Sequence, residues 1–191
     1  QKMIKKYSTC NIGCSKEACK SLFENLNCQV INNPYDEKKY FYRELNKIGN
    51  KIVLTQVGSF SENKNQIFSV LVLKEILALG QDAELRLVGF DPVEYKKKIV
   101  EKVGSLHLEK QVVLLPGQIS IPDVLEDTNA CIFPSHNEGF GIAIIEAQAV
   151  GIHCYISDTI PEAVNVGGVT FLALKAGAAS WAKRIVQDYK E

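Results

Sequence analysis

One short segment of this 191-residue sequence has the residue types needed to hold a phosphate beside a helix start. Within residues 58–65, Gly58 permits close backbone approach, Ser61 can cap a helix, and Lys64 is predicted to fall in the first turn of that helix. A cation is unfavourable at this end of a helix unless an anion lies between it and the exposed N–H groups. The alternative is a plain turn followed by a solvent-exposed lysine.

A second segment, residues 134–141, carries a stronger signal. Gly139 and Gly141 leave backbone N–H groups uncovered at a predicted helix start, which is a suitable cradle for a diphosphate. Glu138 precedes this cradle, and Glu146 lies inside the helix. Two carboxylates would repel a phosphate, so they suit hydroxyl groups instead.

The helix that carries Glu146 is apolar almost all round, which indicates that it is largely buried. Glu146 and Gln148 lie about 200° apart on a helical wheel, so they cannot share one narrow solvent-facing stripe. Either one of them faces a cavity or a partner, because an unpaired buried charge is costly, or Glu146 is an ordinary exposed residue. Helix geometry alone leaves both interpretations open.

The elements that position these segments alternate short apolar runs with longer amphipathic stretches, a pattern typical of a parallel sheet flanked by helices. The predicted strands, nearly continuous in apolar residues, are 52–57, 84–88, 112–115, 130–133, 152–156 and 169–172. The predicted helices are 62–79, 92–105, 121–126, 141–150 and 178–189. The expected fold class is therefore α/β, a Rossmann-like parallel sheet of about six strands with helices on both faces. Ligands bind such a sheet at the carboxyl ends of its strands, where both segments lie.

Residues 1–49, which precede the first predicted strand, do not follow this alternating pattern. They are predicted to form little hydrophobic core of their own. Ser15 is the predicted N-cap of a helix at 15–26, and residues 29–31 form a short predicted strand.

Composition excludes several classes of function. The net charge is zero, so no overall basic field attracts nucleic acid or anionic lipid. No apolar run reaches the roughly 20 residues that span a bilayer. The basic start lacks the apolar core of a signal peptide, so a reducing cytoplasm is the expected location.

The six cysteines are irregularly spaced and are predicted to be free thiols, not a disulfide framework or a zinc site. Cys131 and Cys154 fall in apolar strands, where a buried cysteine packs as a small hydrophobe. The four early cysteines lack the paired spacing of common zinc modules: Cys10, Cys14, Cys19 and Cys28.

A set of positions in and after the second segment forms a recognisable pattern: Pro134, Ser135, Glu138, Gly139, Phe140, Gly141, Glu146, Ala147, Gly151, Ser157 and Asp158. This pattern resembles the signature of family 4, or group 1, nucleotide-sugar glycosyltransferases, including its spacing of two glutamates separated by seven residues. Earlier in the sequence, loop 58–65 and the strand ends 87–89 and 115–117 also occur in the order found in that family. Residues 14–18 and 30–33 resemble the segment that joins the family's two domains.

The resemblance implies the donor-binding C-terminal half of a GT-B enzyme. Residues 35–191 would be the nucleotide-sugar domain, and residues 1–34 a remnant of the preceding acceptor domain and the linker. The implied reaction moves a sugar from a nucleoside-diphosphate sugar to a glycan or lipid-linked acceptor, with retention of configuration, in bacterial surface polysaccharide or glycan synthesis. The nucleotide sugar is a substrate, and neither a cofactor nor a metal is expected.

The acceptor would be bound by the N-terminal domain, without which the fragment is expected to be inactive. That domain would also provide any peripheral attachment to the inner face of the cell membrane. No nucleic-acid partner and no transmembrane segment are expected.

The resemblance also implies roles for individual residues. Lys64 and Glu138 are the implied catalytic residues, with Lys64 on the diphosphate and Glu138 on a hydroxyl of the donor sugar. Glu146 would bind the ribose hydroxyls. The backbone near Gln118 and Ile119 would meet the base. The other implied substrate-binding residues are Gly58, Ser59, Gly89, Gly139, Phe140 and Gly141.

The sequence departs from the family pattern at several positions. Ser59 stands where the family usually has an arginine beside the phosphates, so one cationic contact is absent. The triplet 89–91 lacks a second glycine, while Asn129 and His153 replace residues whose role is interpreted as structural. Two alternatives therefore stay open: a non-catalytic nucleotide-sugar binding module, motivated by Ser59, and a GT-B type nucleotide-sugar epimerase.

Overall fold

Eight strands and six α-helices make up the part of the chain that the computed structural model describes, residues 7–23, 27–31, 34, 36–42, 50–90 and 93–190. The strands are β1 (Ile12–Gly13), β2 (Gln29–Val30), β3 (Ile52–Val57), β4 (Ala83–Gly89), β5 (Val112–Pro116), β6 (Ala130–Phe133), β7 (His153–Ser157) and β8 (Val169–Leu172). The helices are α1 (Lys16–Phe23), α2 (Gln66–Ala78), α3 (Val93–Ser105), α4 (Ile121–Glu126), α5 (Ile142–Ala149) and α6 (Gly177–Lys190). Among these described helices, none is both long and apolar enough to cross a membrane.

Six strands form one parallel sheet in the order β5-β4-β3-β6-β7-β8. The chain builds outward from β3 through β4 to β5, then returns to the other side of β3 to start β6. The strand order therefore reverses between β3 and β6. In open α/β sheets ligands bind at such a reversal, in the crevice outside the carboxyl ends of the strands.

Helices cover both faces of the sheet because alternate strand residues point to opposite sides. On one face, Leu54 and Ile132 pack against Val70, Ile99 and Trp181 of α2, α3 and α6. Burial of each large aliphatic side chain contributes about 1.5–3 kcal/mol. The predicted α/β class is confirmed, and each of the six predicted sheet strands lies within one residue of its expected bounds.

On the other face, the sheet packs against α5. Cys131 and Cys154 are buried free thiols in a cluster with Ile144, Ala147 and Tyr40. Their predicted role as small buried hydrophobes is confirmed. The α5 helix matches its predicted span to within one residue at each end.

One predicted helix start is wrong. Helix α2 begins at Gln66, four residues after the predicted position 62, and residues 62–65 form a turn. Asn65 adopts a left-handed conformation (φ 54°) that breaks the helical path, and asparagine tolerates this region better than most residues. Lys64 therefore precedes the helix and does not lie in its first turn. Ser61 caps the turn, because its Oγ accepts the N–H of Lys64 at 3.2 Å.

The N-terminal segment forms a small unit in which β1 and β2 pair in parallel beside α1. The predicted N-cap is confirmed, since the Oγ of Ser15 accepts the N–H of Ala18 at 3.0 Å. Residues 24–26, the end of the predicted helix, lie outside the described residues, as does Pro92 at the predicted start of α3.

The prediction of free thiols is wrong for one pair of early cysteines. Cys19 in α1 and Cys28 beside β2 form a disulfide, with their Cα atoms 5.8 Å apart. Packing of α1 against the two short strands brings these residues together, a proximity that irregular spacing in the sequence does not reveal. Cys10 and Cys14 are free.

The ends of β3 and β4 approach each other with no room for a side chain. The N–H of Gly58 donates to the carbonyl of Val88 at 2.9 Å. A Cβ atom on Gly89 would lie 2.1 Å from the carbonyl oxygen of Gly58 and 2.8 Å from its carbonyl carbon. Gly89 is therefore needed for this backbone contact.

We expect Gly89→Ala to lower the free energy of unfolding by about 2 kcal/mol or more, because the backbone must move to admit the methyl group. Urea denaturation measures the change. The matched control is Gly104→Ala in α3, where the added Cβ would meet only Glu109 Oε1 at 3.7 Å. That control should stabilise the protein by roughly 0.5–1 kcal/mol. A Gly89→Ala variant as stable as the wild type would contradict the close contact.

Candidate functional site

A cleft of about 340 Å³ opens between the ends of β3 and β6, where the strand order reverses. Its walls come from the loop after β3, the loop after β6, the first turn of α5 and the N-terminal segment. The lining residues are Cys14, Val57, Gly58, Ser59, Lys64, Phe133, Glu138, Phe140, Gly141, Ile142, Ala143 and Ile144. Both segments singled out by the sequence therefore line one cleft.

Lys64 and Glu138 form an ion pair in this cleft, from Nζ to Oε1. The Glu138 side chain is 9% exposed and that of Lys64 27%. Ser135 also donates its Oγ–H to Glu138 Oε1 at 2.8 Å. Lys64 is the only cationic side chain among the described lining residues, so Glu138 neutralises the cleft's one positive charge.

A buried polar residue holds the backbone of Lys64. Gln56 in β3 donates its Nε2–H to the carbonyl of Lys64 at 2.6 Å and accepts the hydroxyl of Ser69 at 2.7 Å. The Gln56 side chain is buried inside the sheet and helix layer. Gln56 was not among the predicted site residues, although a glutamine inside the apolar run 52–57 is a signal visible in the sequence.

Three hydrogen bonds join the loop after β3 to the loop after β6. Asn63 donates its Nδ2–H to the carbonyl of Asn137 at 2.8 Å and accepts the N–H of His136 at the same distance. Asn65 donates its Nδ2–H to the carbonyl of Pro134 at 3.2 Å. These bonds fix the separation of the two loops, and hence the reach of Lys64 toward Glu138.

The first turn of α5 supplies the backbone donors of the cleft. Gly141 is the N-cap, in a left-handed conformation (φ 68°) where a Cβ would lie 2.9 Å from Ile144 Cδ1. The first N–H groups of a helix lack intrahelical partners, so Ile142 and Ala143, which line the cleft, offer backbone donors there. The geometry suits an anion.

The N-terminal segment contacts the glycine-rich turn. Ser15 donates its Oγ–H to the carbonyl of Gly139 at 3.2 Å. Cys14 lines the cleft beside this contact. A second, larger hollow of about 640 Å³ shares Glu138 with the first, and Asp158 and Glu162 make it acidic.

Glu146 does not line the cleft. It is half-buried on α5 and accepts a hydrogen bond from the hydroxyl of Tyr40, which was not among the predicted site residues. Burial raises the pKa of Glu146, and the Tyr40 hydrogen bond opposes the rise. Burial and the charge of Glu146 raise the pKa of Tyr40 to about 12, so its hydroxyl stays protonated as a donor. The Gln148 side chain does not share the surroundings of Glu146, as the helical wheel predicted. Its Oε1 accepts hydrogen bonds from the N–H groups of Val166 and Gly168.

The other predicted site residues are spread along the carboxyl edge of the sheet. Gly58, Ser59, Phe140 and Gly141 line the cleft together with Lys64 and Glu138. Gly139 lines the acidic hollow. Gly89, Gln118 and Ile119 line neither, and lie at the ends of β4 and β5. The described residues contain no group of three or more metal-binding side chains.

A family model described as glycosyl transferases group 1 matches residues 37–186. This chain belongs to that family. Its curated relatives include N-acetyl-alpha-D-glucosaminyl L-malate synthase of Bacillus anthracis, 27% identical over 176 residues that cover 87% of this chain and 45% of the synthase. The chain spans less than half the length of the curated relatives that it matches.

Solved structures show that this group 1 glycosyltransferase chain has the fold of a GT-B Rossmann-like domain. HepE of Anabaena, in a complex with UDP and glucose, superposes with a TM-score of 0.76 at 20% identity, covering 96% of this chain and 54% of HepE. The C-terminal domain of the group 1 protein LpcC from Francisella tularensis superposes with a TM-score of 0.68 at 18% identity, covering 83% of this chain and 89% of that domain. The chain therefore shares the fold of that C-terminal domain.

The Lys64–Glu138 pair should show strong energetic coupling. We expect Lys64→Met and Glu138→Gln each to destabilise the protein, and the double variant to recover part of the loss, with a coupling free energy of about 1–3 kcal/mol. A double-mutant cycle in urea measures it. The control cycle uses Lys98 and Glu62, an ion pair at 2.8 Å with side chains 55% and 79% exposed, where we expect no measurable coupling. Additive effects at Lys64 and Glu138 would contradict their pairing.

Glu146 should make stability depend on pH. The pKa of Glu146 is raised in the folded state, so the charged carboxylate lowers the free energy of unfolding at pH values above that raised pKa. This destabilisation is lost as the pH falls below the unfolded value of 4.5. We expect Glu146→Gln, which still accepts the Tyr40 hydroxyl, to be more stable than the wild type at pH 7 by a few tenths of a kcal/mol. The advantage should vanish at pH 4, as measured by urea denaturation at both values. Glu109→Gln, at an exposed position, should give no such pH-dependent difference.

Proposed function

We propose that this chain is the donor-binding domain of a retaining family 4 glycosyltransferase, which holds a nucleoside-diphosphate sugar for transfer to a glycan or lipid-linked acceptor. The relatives are about twice as long, and the acceptor is proposed to be bound by a second domain that faces the cleft. The setting proposed is bacterial surface polysaccharide or glycan synthesis in the cytoplasm, with membrane attachment through that second domain. The nucleotide sugar is the substrate, and no metal or cofactor takes part.

The Lys64–Glu138 ion pair is the observation that carries this proposal. It lies in a cleft with the glycine-rich start of α5, at the reversal of strand order. A bound diphosphate takes the place of Glu138 as the partner of Lys64 and accepts from the backbone donors of α5. Glu138, released from the lysine, then accepts a hydroxyl of the donor sugar.

The same groups suit the chemistry of sugar transfer. Breaking the bond between the sugar and the diphosphate leaves positive charge on the sugar ring and negative charge on the departing group. Lys64 and the helix start stabilise the negative charge with donors that are already in place. Glu138 lies on the sugar side, where its carboxylate holds the donor and stabilises the positive charge that develops on the sugar ring.

Glu146 is proposed to bind the ribose hydroxyls. Tyr40 supports this role because its hydroxyl bonds to the Glu146 carboxylate and stabilises the charged form, which accepts two hydroxyl groups. Tyr40 is buried among the residues beneath α5, so it orients the carboxylate.

A second candidate function is a binding module without transfer activity. Ser59 lines the cleft and supplies no positive charge, so one cation fewer stabilises the leaving group than in the family pattern. Turnover by the full-length protein with a purified acceptor separates the two functions. Tight nucleotide binding without turnover would favour the module.

We expect the 191-residue chain to bind uridine diphosphate or guanosine diphosphate and to transfer no sugar on its own. Isothermal titration calorimetry measures the binding. Lys64→Met should weaken binding of the nucleoside diphosphate roughly 10- to 100-fold, because a charge-assisted contact is lost. Glu146→Ala should also weaken binding.

Glu138→Ala should leave binding of the nucleoside diphosphate unchanged or make it tighter, because Glu138 competes with the phosphate for Lys64. It should weaken binding of the intact nucleotide sugar. Lys98→Met is the control for loss of a lysine, since that residue is exposed and lies outside the cleft. Equal losses from Glu138→Ala and Glu146→Ala with the nucleoside diphosphate would contradict this division of roles.

A further inference from the structure

Phe90 is a large apolar side chain left 59% exposed at the carboxyl end of β4. Most large apolar side chains of the sheet and its loops are buried, including Phe60 at 1% and Phe133 at 2%. Its position matters because ligands bind open α/β sheets at the carboxyl ends of the strands.

The ring of Phe90 lies against backbone, which holds it in place. A Cβ atom on Gly117 would lie 2.8 Å from Phe90 Cδ2 and 2.8 Å from the backbone nitrogen of Phe90. The carbonyl of Phe90 accepts the N–H of Phe60 at 3.0 Å. The ring of Phe90 therefore packs beside Gly117, while more than half of the residue stays exposed.

Phe90 lies at the same carboxyl edge of the sheet as the proposed donor site, directly after β4. The loop after β3 is bonded to β4 at both ends, from Gly58 to Val88 and from Phe60 to Phe90, and Ser59 between them lines the cleft. The ends of β6 and β4 are separated by two strand spacings, about 10 Å. Gly117 and Gln118 follow at the end of β5, the next strand outward.

We propose that Phe90 stacks on the base of the nucleoside diphosphate and is a binding residue of the donor site. This inference rests on the proposed function, because it requires the diphosphate to lie at Lys64 and the first turn of α5. The base then extends from the cleft over the end of β4, with its face on the ring and its edge toward the backbone of residues 118 and 119. Stacking uses the flat face that every base has, so Phe90 contributes to affinity for pyrimidine and purine nucleotides alike.

The test compares uridine diphosphate with inorganic pyrophosphate, which lacks the base, by calorimetric titration of the 191-residue chain. Phe90→Ala should weaken binding of uridine diphosphate roughly 5- to 150-fold and leave pyrophosphate binding unchanged. Phe90→Leu, which keeps apolar bulk without a ring, should lose most of the same affinity. Phe90→Trp should retain it, and the fluorescence of the new tryptophan should be quenched by uridine diphosphate but not by pyrophosphate.

The control variant is Val93→Ala, which removes exposed apolar surface (82% exposed) at the start of α3 and should leave both affinities unchanged. Thermal unfolding of each variant checks that the fold is retained. Wild-type-like affinity of Phe90→Ala for uridine diphosphate, or an equal loss for pyrophosphate, would overturn the stacking role alone. A wild-type chain that binds neither uridine nor guanosine diphosphate would overturn the donor site itself, and the stacking role with it.

Discussion

The ion pair between Lys64 and Glu138 joins two loops that lie 74 residues apart in the sequence, and the organisation of the cleft depends on it. Each loop follows a strand next to the reversal of strand order, so the topology brings the two chain segments to the same edge. The pair forms where solvent is largely excluded from the carboxylate, so the interaction is weakly screened. Lys64 is the single cation among the described residues of the cleft, so a phosphate that replaces Glu138 beside Lys64 leaves the carboxylate without a counter-ion and in need of hydrogen-bond donors.

The surrounding polar contacts hold this pair in position. Gln56 fixes the backbone of Lys64 from beneath, while Asn63 and Asn65 tie the lysine loop to the glutamate loop. Ser135 adds a hydrogen bond to the carboxylate. Hydrogen bonds in a partly buried network reinforce one another, which is how a loop of irregular structure becomes a rigid wall of a binding site.

Close backbone packing sets the shape of the rest of the edge. Gly89 lets the ends of β3 and β4 approach, and Gly117 admits the ring of Phe90. Gly89 was predicted to lie near a ligand, and the structure gives both glycines a close neighbour in the protein itself. A glycine at a strand end can thus affect the shape of a site without lining it, because it allows neighbouring loops to pack closely together.

The sequence by itself determined the fold class, the strands of the sheet and the two loops that line the cleft, because apolar periodicity and the glycine and glutamate spacing are local properties of the chain. Only the tertiary structure decided the partners of these residues. It turned the chain at Asn65 ahead of α2, bonded Tyr40 to Glu146 and joined Cys19 to Cys28. The physical reason is that hydrogen bonds, ion pairs and desolvation act between groups that are close in space, and closeness in space follows from how the helices and strands pack.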